Sequence, residues 1–188
     1  AQVRVATPNT ELILKAEPGQ ELQIVYFGNR LCDADVANLQ AAGASNHNAY
    51  PPYGLWCASE AALGVTHADG NLSTVLKVEG IRTEEEPTAK VTRIRLKDTV
   101  YPFYVTVCYR AYQDVDMIET WTEIENLEKK PVKLTRFDSG YLPIRVGDVW
   151  ISHLHGTWAN ESRLTQQPLE RGMFTIKNKD GVRNAHTD

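Results

Sequence analysis

The stretch Tyr101–Tyr112, with the sequence YPFYVTVCYRAY, decides the fold class of this chain. Phe103, Val105, Val107 and Tyr109 recur at every second position, and in a β-strand such residues share one face. Because that face is apolar and aromatic, the pattern predicts a strand with one side against a core. The chain is therefore expected to build its core from sheets.

A second strand is predicted directly after it, over Ile118–Asn126. Its residues also alternate, so that one face is expected in the core and the other in water. The first face carries Ile118, Thr120, Thr122 and Ile124, and the second carries Glu119, Glu123 and Glu125. Asp114 and Asp116 lie between the two strands, where Asp is typical of a hairpin turn.

Further strands are predicted on both sides of this pair, at the spacing of a β-sandwich. They cover Thr10–Ala16, Glu21–Phe27, Ala61–His67, Leu72–Val78, Val91–Leu96, Val132–Phe137, Val149–Leu154 and Met173–Lys177. Pro18-Gly19 predicts a hairpin between the first two of these strands, and Asp69-Gly70-Asn71 predicts one between the third and fourth.

One short helix is predicted over Ala34–Ala42, with Asp33 placed to cap its first amides and Gly43 placed to end it. It is expected at the periphery of the molecule. The predicted fold class is therefore all-β, a sandwich of antiparallel sheets with at most one short peripheral helix.

Length and charge exclude several classes of protein. The 188 residues suit a single domain. Lys and Arg total 20 against 24 Asp and Glu, a net charge of -4, and this mild balance argues against nucleic acids and anionic membranes as partners. No apolar run approaches the roughly 18 residues of a transmembrane helix, so no membrane span is predicted.

Three cysteines, Cys32, Cys57 and Cys108, follow no zinc-binding spacing, so neither a metal site nor a cofactor is predicted. Cys108 falls within a predicted strand and is expected to be a small buried side chain. Cys32 and Cys57 flank one long loop, so a disulfide between them stays open, although free thiols are favoured.

That loop, residues 28–59, is expected to be ordered, because Tyr50–Trp56 (YPPYGLW) concentrates Pro and aromatic residues. A pyranose stacks its C–H face on aromatic rings and hydrogen-bonds through its hydroxyls, so a sugar-contacting rim is one interpretation. The rim residues would be Tyr50, Tyr53, Trp56 and Glu60. The alternative, that Tyr53 and Trp56 only pin the loop onto the sandwich, is favoured.

A second set of residues, His153, His155, Trp158 and Glu161, lies near the C-terminal end. His153 and His155 are two positions apart and share a strand face, an arrangement also found in metal sites, but no third ligand has an evident place. A domain-interface role is favoured for all four. Trp158 is the residue type that anchors interfaces, and a structural hydrogen bond is expected for Glu161.

The run Leu154–Glu161, LHGTWANE, has the pattern L-x-G-x-W-x-x-E and is followed by Gly172, Ile176 and the stretch Gly181–His186. These segments resemble the N-terminal domain of glycoside hydrolase family 36 α-galactosidases. The resemblance spans most of the chain and is weakest in the long loop. One departure is Ser59–Leu63, SEAAL, where the family often has Arg-Glu-Pro-Ala-Leu, so a contact that depends on that arginine is absent.

The resemblance implies one N-terminal β-supersandwich domain over residues 1–188, leading into a catalytic (β/α)8 barrel outside this chain. It implies a parent retaining α-galactosidase that acts on galactose-containing oligosaccharides and forms a homo-oligomer. Retaining cleavage needs two carboxyl groups about 5 Å apart. No such pair stands out, so no catalytic residue is predicted here and the chain alone is expected to be inactive. Its roles would be docking of the barrel, oligomer assembly and a contribution to the active-site rim.

Two other functions fit a sandwich, since fold does not fix function. The main alternative is an independent carbohydrate-binding β-sandwich with its own exposed aromatic platform, and a third is a structural sandwich of another glycosidase. The start Ala1-Gln2-Val3 fits either a mature end after signal removal or a boundary within a longer chain. A periplasmic or secreted location is therefore favoured over the cytoplasm.

We expect Trp158→Ala to cost the 188-residue chain little stability, and to cost the longer enzyme about 2 kcal/mol or more, because a docked aromatic is lost. Parallel urea unfolding of both proteins, with and without the substitution, measures this. A large loss in the 188-residue chain would make Trp158 a core residue and the docking role wrong.

Overall fold

The computed structural model describes residues 2–41, 47–54, 60–144, 147–157 and 159–178. Within them nearly all regular structure is strand, with one short helix, which confirms the all-β prediction. Contacts divide the chain into two compact units, Ala1–Pro143 and Ile144–Asp188. That residues 1–188 form a single domain stays a prediction.

The strands and the helix of the first unit are named here in chain order. They are β1 (Gln2–Ala6), β2 (Thr10–Lys15), β3 (Gln23–Asn29), α1 (Asp33–Ala41), β4 (His47–Asn48), β5 (Leu63–Thr66), β6 (Leu76–Glu85), β7 (Ala89–Asp98), β8 (Phe103–Tyr112), β9 (Ile118–Asn126) and β10 (Lys133–Phe137). In the described residues of the second unit, β11 (Trp150–Thr157) and β12 (Asn160–Pro168) form one hairpin.

The first unit contains two four-stranded antiparallel sheets, in the orders β1-β2-β3-β4 and β6-β7-β8-β9, and a small sheet of β5 and β10. The predicted β2–β3 and β8–β9 hairpins are confirmed. None of the helices in the described part of the chain is long and apolar enough to cross a membrane.

The core lies between the inner faces of the two larger sheets. Phe103, Val105, Val107 and Tyr109 of β8 are all buried in it, as their alternation predicts. The same cluster contains side chains of the first sheet, namely Val5, Leu12, Leu14 and Ile24. Burial of a large apolar side chain stabilises a fold by about 1.5–3 kcal/mol, so this face supplies much of the stability.

The outer face of the second sheet is covered by paired charges. Arg95 lies between Glu79 at 2.8 Å and Glu125 at 2.5 Å, and Arg110 lies between Glu86 at 3.0 Å and Glu119 at 2.7 Å. These glutamates of β9 are exposed, as predicted for the wet face of that strand. Because each guanidinium meets two carboxylates, the charges of this face are largely neutralised within it.

Beneath these charges, Trp121 and Cys108 lie opposite one another on β9 and β8. The guanidinium groups of Arg93 and Arg110 lie 5.4 and 5.1 Å from the centre of the Trp121 ring, within range of a cation–π contact. Cys108 is fully buried, as predicted, and burial raises the pKa of its thiol to about 12. This thiol is therefore protonated and unreactive at neutral pH.

The helix α1 begins at Asp33 itself, so the prediction that Asp33 caps the helix from outside is wrong. The Val36 amide donates to the Cys32 carbonyl at 3.1 Å, and the Asp33 carboxylate accepts from Arg4 at 2.7 Å instead. Gly43 lies outside the described residues. Cys32 is an exposed free thiol whose sulfur lies 3.1 Å from an Asp35 oxygen; Cys57 lies outside the described residues.

The hairpin predicted at Asp69-Gly70-Asn71 is wrong, because β5 pairs with β10 and β6 pairs with β7. The turn itself forms, since the His67 amide donates to the Asn71 carbonyl at 2.8 Å. The chain then leaves β5 and enters β6, which pairs with β7 from Leu76 opposite Asp98 onward. Asp98 also accepts a hydrogen bond from the Val75 amide at 2.8 Å, at the start of this pairing.

The strand predicted over Met173–Lys177 is also wrong, because this segment is irregular. The strand that pairs with β11 is β12, whose sequence NESRLTQQP carries too few apolar residues to show an alternation. β1 and β4 were not predicted from the sequence either. β1 is short, and β4 has only two residues.

A buried ion pair joins β1, β2 and the segment before α1. Glu11 is fully buried and accepts hydrogen bonds from the Arg4 guanidinium and from the Leu31 amide at 3.1 Å. Burial opposes ionisation of Glu11, but the bonds from Arg4 and Leu31 outweigh it and hold the pKa of Glu11 below its ordinary value.

A carboxylate with a lowered pKa stabilises the fold above its ordinary pKa, and this stability is lost as the pH falls through the lowered value. We therefore expect Glu11→Gln to reduce the free energy of unfolding by about 2 kcal/mol at pH 7, and the difference to shrink below about pH 4. Urea unfolding across pH measures it. Glu79→Gln, at an exposed ion pair, is the control and should cost less than about 0.5 kcal/mol. Equal effects of the two variants would contradict the anchoring role of Glu11.

Candidate functional site

The predicted rim residues fall on the segment 50–54 and at Glu60. Tyr50 is only 1% exposed, its hydroxyl donates to the Asp138 carbonyl at 2.8 Å, and its amide donates to the Asn48 side chain at 2.8 Å. Burial raises the pKa of the Tyr50 hydroxyl. Tyr50 therefore offers no ring face to solvent and holds the segment to the core through its hydroxyl.

Tyr53 differs from Tyr50 in exposure, because Tyr53 is 59% exposed while hydrogen bonds fix its backbone on both sides. Its amide donates to the Leu63 carbonyl at 2.8 Å, and its carbonyl accepts from the Thr74 amide at 3.0 Å. An exposed aromatic ring on an immobilised backbone loses little conformational entropy when a ligand binds to it. Trp56, the remaining aromatic rim candidate, lies outside the described residues.

Gly54 lets the segment approach the loop 67–75 closely. Its φ of +114° is a conformation that residues with a side chain rarely adopt. A Cβ at this position would lie 2.8 Å from both the Ser73 Cα and the Thr74 amide nitrogen. The contact between the two loops therefore requires glycine here.

Glu60 takes part in a polar cluster that the sequence did not reveal. Arg136 of β10 lies 2.7 Å from a Glu60 oxygen and donates to Asp138 at 3.2 Å, and these carboxylates, Asp138 foremost, raise the pKa of Arg136. The bridge between Pro52 and Leu63 and the pairing of Gly64 with Arg136 set Tyr53 and Arg136 on either side of Gly64. Nothing local in the sequence predicts the pairing of β5 with β10, on which this placement depends.

A buried histidine holds loop 67–75 to the core through hydrogen bonds. His67 is 2% exposed, its Nδ1 lies 2.7 Å from a Glu128 oxygen, and its Nε2 lies 2.8 Å from the Thr74 hydroxyl. Its ring stacks on Tyr101 at 3.8 Å. Sequence reasoning treated His67 only as the end of a strand. A histidine directly after a short buried strand was the available signal, but its partner Glu128 lies 61 positions away.

The exposed part of this arrangement suits recognition of a polyhydroxylated ligand. Tyr53 offers an aromatic face, while Glu60 and Arg136 offer acceptors and donors. Both carboxylates of the cluster are engaged by one guanidinium, which does not resemble the two carboxyl groups of an acid and nucleophile pair. Among the described residues, no group of three His, Cys, Asp or Glu side chains is placed to hold a metal ion.

The glycosyl hydrolase family 36 N-terminal domain matches residues 20–188 of the chain. The chain belongs to this domain family. No curated protein matches it.

Solved structures share the fold of the family 36 domain. A variant of α-galactosidase AgaA from Geobacillus stearothermophilus in complex with raffinose aligns with a TM-score of 0.84 at 22% identity, over 100% of this chain and 31% of that one. AgaB from the same organism gives 0.77 at 20%, over 100% and 30%. An α-galactosidase from Lactobacillus brevis gives 0.73 at 18%, over 91% and 28%. The family 36 domain thus spans less than a third of these proteins, and likeness at these identities shows the fold.

The C-terminal candidates of the family 36 domain lie on the β11–β12 hairpin. His155 Nδ1 lies 3.0 Å from the Thr165 hydroxyl, and the His153 ring lies 5.8 Å from that of His155 and 5.4 Å from Phe174. Glu161 is in β12 and makes an interaction within the structure. Trp158 lies outside the described residues. The two histidines thus share a face, as predicted.

The other face of this hairpin is apolar and exposed. Leu154 pairs with Leu164 and Trp150 pairs with Pro168, and 64% of Trp150 and 62% of Leu164 are exposed. Large apolar side chains gathered on one exposed face are typical of a surface that contacts another domain or subunit. Sequence reasoning missed this face, because it did not predict β12.

We expect Gly54→Ala to lower the free energy of unfolding by about 1–3 kcal/mol, because alanine adds a strained φ and its methyl meets backbone atoms of the facing loop. Thermal and urea unfolding measure this. The control is Gly70→Ala, at a positive φ with open space around it. This variant should lose only the free energy of unfolding that corresponds to the strained φ. If Gly54→Ala cost no more than Gly70→Ala, the two loops would not be in close contact.

Proposed function

We propose that this family 36 domain is the non-catalytic N-terminal part of an α-galactosidase that hydrolyses terminal α-galactosides in galacto-oligosaccharides by a retaining mechanism. Membership of the domain family and the shared fold with α-galactosidases, one of them in complex with raffinose, support this. The chemistry would belong to a catalytic barrel of the same polypeptide, with two carboxyl groups across the scissile bond. The 188-residue chain alone is then inactive.

Within that enzyme we assign the β11–β12 hairpin to docking. Its exposed face carries Trp150, Leu154 and Leu164. Burial of such large apolar side chains contributes a large favourable free energy. The neighbouring candidates His153, His155, Trp158 and Glu161 would complete the interface with the barrel. The same type of surface serves assembly of a homo-oligomer, because a self-complementary apolar patch generates a symmetric dimer.

The segment around Tyr53 is assigned to the active-site rim. The observation that carries this is an aromatic side chain 59% exposed on a backbone held by Leu63 and Thr74, with Arg136, the partner of Glu60, across Gly64 from this segment. A galactosyl unit presents C–H groups to a ring and hydroxyls to charged groups, and this combination meets both needs. Trp56 would extend the rim.

An independent carbohydrate-binding module is the second function, and the same exposed ring favours it. The two functions differ in what the 188-residue chain does by itself. A module binds an oligosaccharide alone, whereas a rim supplies only part of the contacts and gains affinity once a catalytic pocket holds the remaining sugar residues.

We expect Tyr53→Ala in the longer enzyme to raise KM for raffinose about 5- to 30-fold with little change in kcat, because a stacking contact of about 1–2 kcal/mol is lost. Steady-state kinetics measures it, and Phe27→Ala, at another exposed aromatic residue, is the matched control. Unchanged KM would remove Tyr53 from the rim. Raffinose binding by the 188-residue chain alone, lost in Tyr53→Ala, would instead establish the module, and turnover by that chain would overturn the non-catalytic role.

A further inference from the structure

A continuous set of hydrogen bonds runs from the exposed Tyr53 segment into the core. The Tyr53 carbonyl accepts from the Thr74 amide at 3.0 Å. The Thr74 hydroxyl lies 2.8 Å from His67 Nε2, and His67 Nδ1 lies 2.7 Å from Glu128 Oε1. Thr74 therefore contacts Tyr53 through its backbone and His67 through its side chain.

Both ring nitrogens of His67 have a hydrogen-bond partner. Nδ1 faces the Glu128 carboxylate, which as a carboxylate only accepts, so the fitting tautomer carries its hydrogen on Nδ1. The other Glu128 oxygen accepts from the Ala68 amide at 3.0 Å. In a neutral ring, His67 Nε2 accepts from the Thr74 hydroxyl, and in a charged ring it donates to it, so both contacts persist in either state.

The partners of Glu128 extend this anchor to the end of β9. The Glu128 amide donates to the Asn126 side chain at 3.0 Å, and the Leu127 amide donates to the Pro102 carbonyl at 2.9 Å. The side chains of His67 and Glu128 are 0% and 5% exposed. In such a dry site a hydrogen bond to a charged group is stronger than on the surface, and its geometry is more narrowly defined.

Other hydrogen bonds of loop 67–75 do not replace the bond between the Thr74 hydroxyl and His67. The Asn71 side chain accepts from the Ser73 amide at 3.1 Å, and Asp98 accepts from the Val75 amide at 2.8 Å. They fix the residues on either side of Thr74. The Thr74 side chain itself is held by His67, and this decides where its amide points.

We propose that His67 and Glu128 are positioning residues for the Tyr53 ring: through Thr74 they fix the backbone that presents this ring to a saccharide, without contacting the saccharide themselves. The proposal rests on the rim function assigned to Tyr53. A positioning role differs from a general contribution of the buried pair to stability. If the pair positions Tyr53, loss of the Thr74 hydroxyl should loosen the Tyr53–Thr74 contact and leave the sheets intact.

The test is Thr74→Val in the 188-residue chain, which removes the hydroxyl, keeps the amide and preserves the shape of the side chain. Hydrogen exchange read by NMR should accelerate about tenfold at the Thr74 and Tyr53 amides, while the amides of β8 keep their protection. Glu128→Ala should accelerate the same amides. Thr92→Val, at a buried threonine in the middle of β7 that pairs with Tyr109, is the matched control and should leave them unchanged.

Two results would overturn the proposal. One is unchanged exchange at Thr74 and Tyr53 in both variants, and the other is uniform acceleration across β8, which would make the pair a general stability element. In the longer enzyme, Thr74→Val should raise KM for raffinose with kcat unchanged, and should add nothing to Tyr53→Ala in the double variant. Altered exchange with unaltered KM would leave the positioning role standing and remove the rim function, so the two failures are distinguishable.

Discussion

Burial of the apolar face of β8 is the constraint on which the rest of the first unit depends. Phe103, Val105 and Val107 are at most 2% exposed, and they can be so only if a second sheet covers them. That requirement brings β1, β2 and β3 over β6–β9, and it uses almost all of the apolar surface that the two sheets offer. The outer face of β6–β9 is then free to carry charge, and it is neutralised by arginines such as Arg95 and Arg110, each between two glutamates. A face balanced in this way has little to gain from a partner, so recognition falls to the loops and edges.

Those loops are rigid because their backbone groups are paired, although they form no long strands. Leu63 and Thr74 hold the Tyr53 backbone, and Asp98 accepts hydrogen bonds from the Val75 amide before β6 and from the Val100 and Tyr101 amides in the turn before β8. A loop whose amides are satisfied by buried carboxylates and carbonyls has few alternative conformations, which favours binding by preorganisation. The buried His67–Glu128 pair belongs to this pattern, since these two polar side chains in the core hold the surface segment above them in place.

Local alternation predicted most of the sheet and could not predict how the sheets connect. β8 and β9 were predicted because the alternation of side chains at every second position can be read from a short continuous stretch of sequence. The hairpin at Asp69-Gly70-Asn71 was wrong because β5 pairs with β10, about 70 positions away, and β6 pairs with β7. β12 was missed because few of its residues are apolar. For the same reason Arg136 and Glu128 could not be found: they become neighbours of Glu60 and His67 only after the small sheet has formed.

The division of exposed residues between the two units bears on function. The first unit presents the exposed Tyr53 ring on a hydrogen-bonded backbone, together with the partly solvated Glu60–Arg136 ion pair, and such groups suit reversible contact with a hydrated ligand. The hairpin of the second unit presents Trp150 and Leu164 with more than half of each exposed, and such side chains favour lasting burial. The chemistry of the two surfaces therefore supports the proposed division, in which the Tyr53 segment contacts a ligand reversibly and the hairpin is permanently buried against another folded unit.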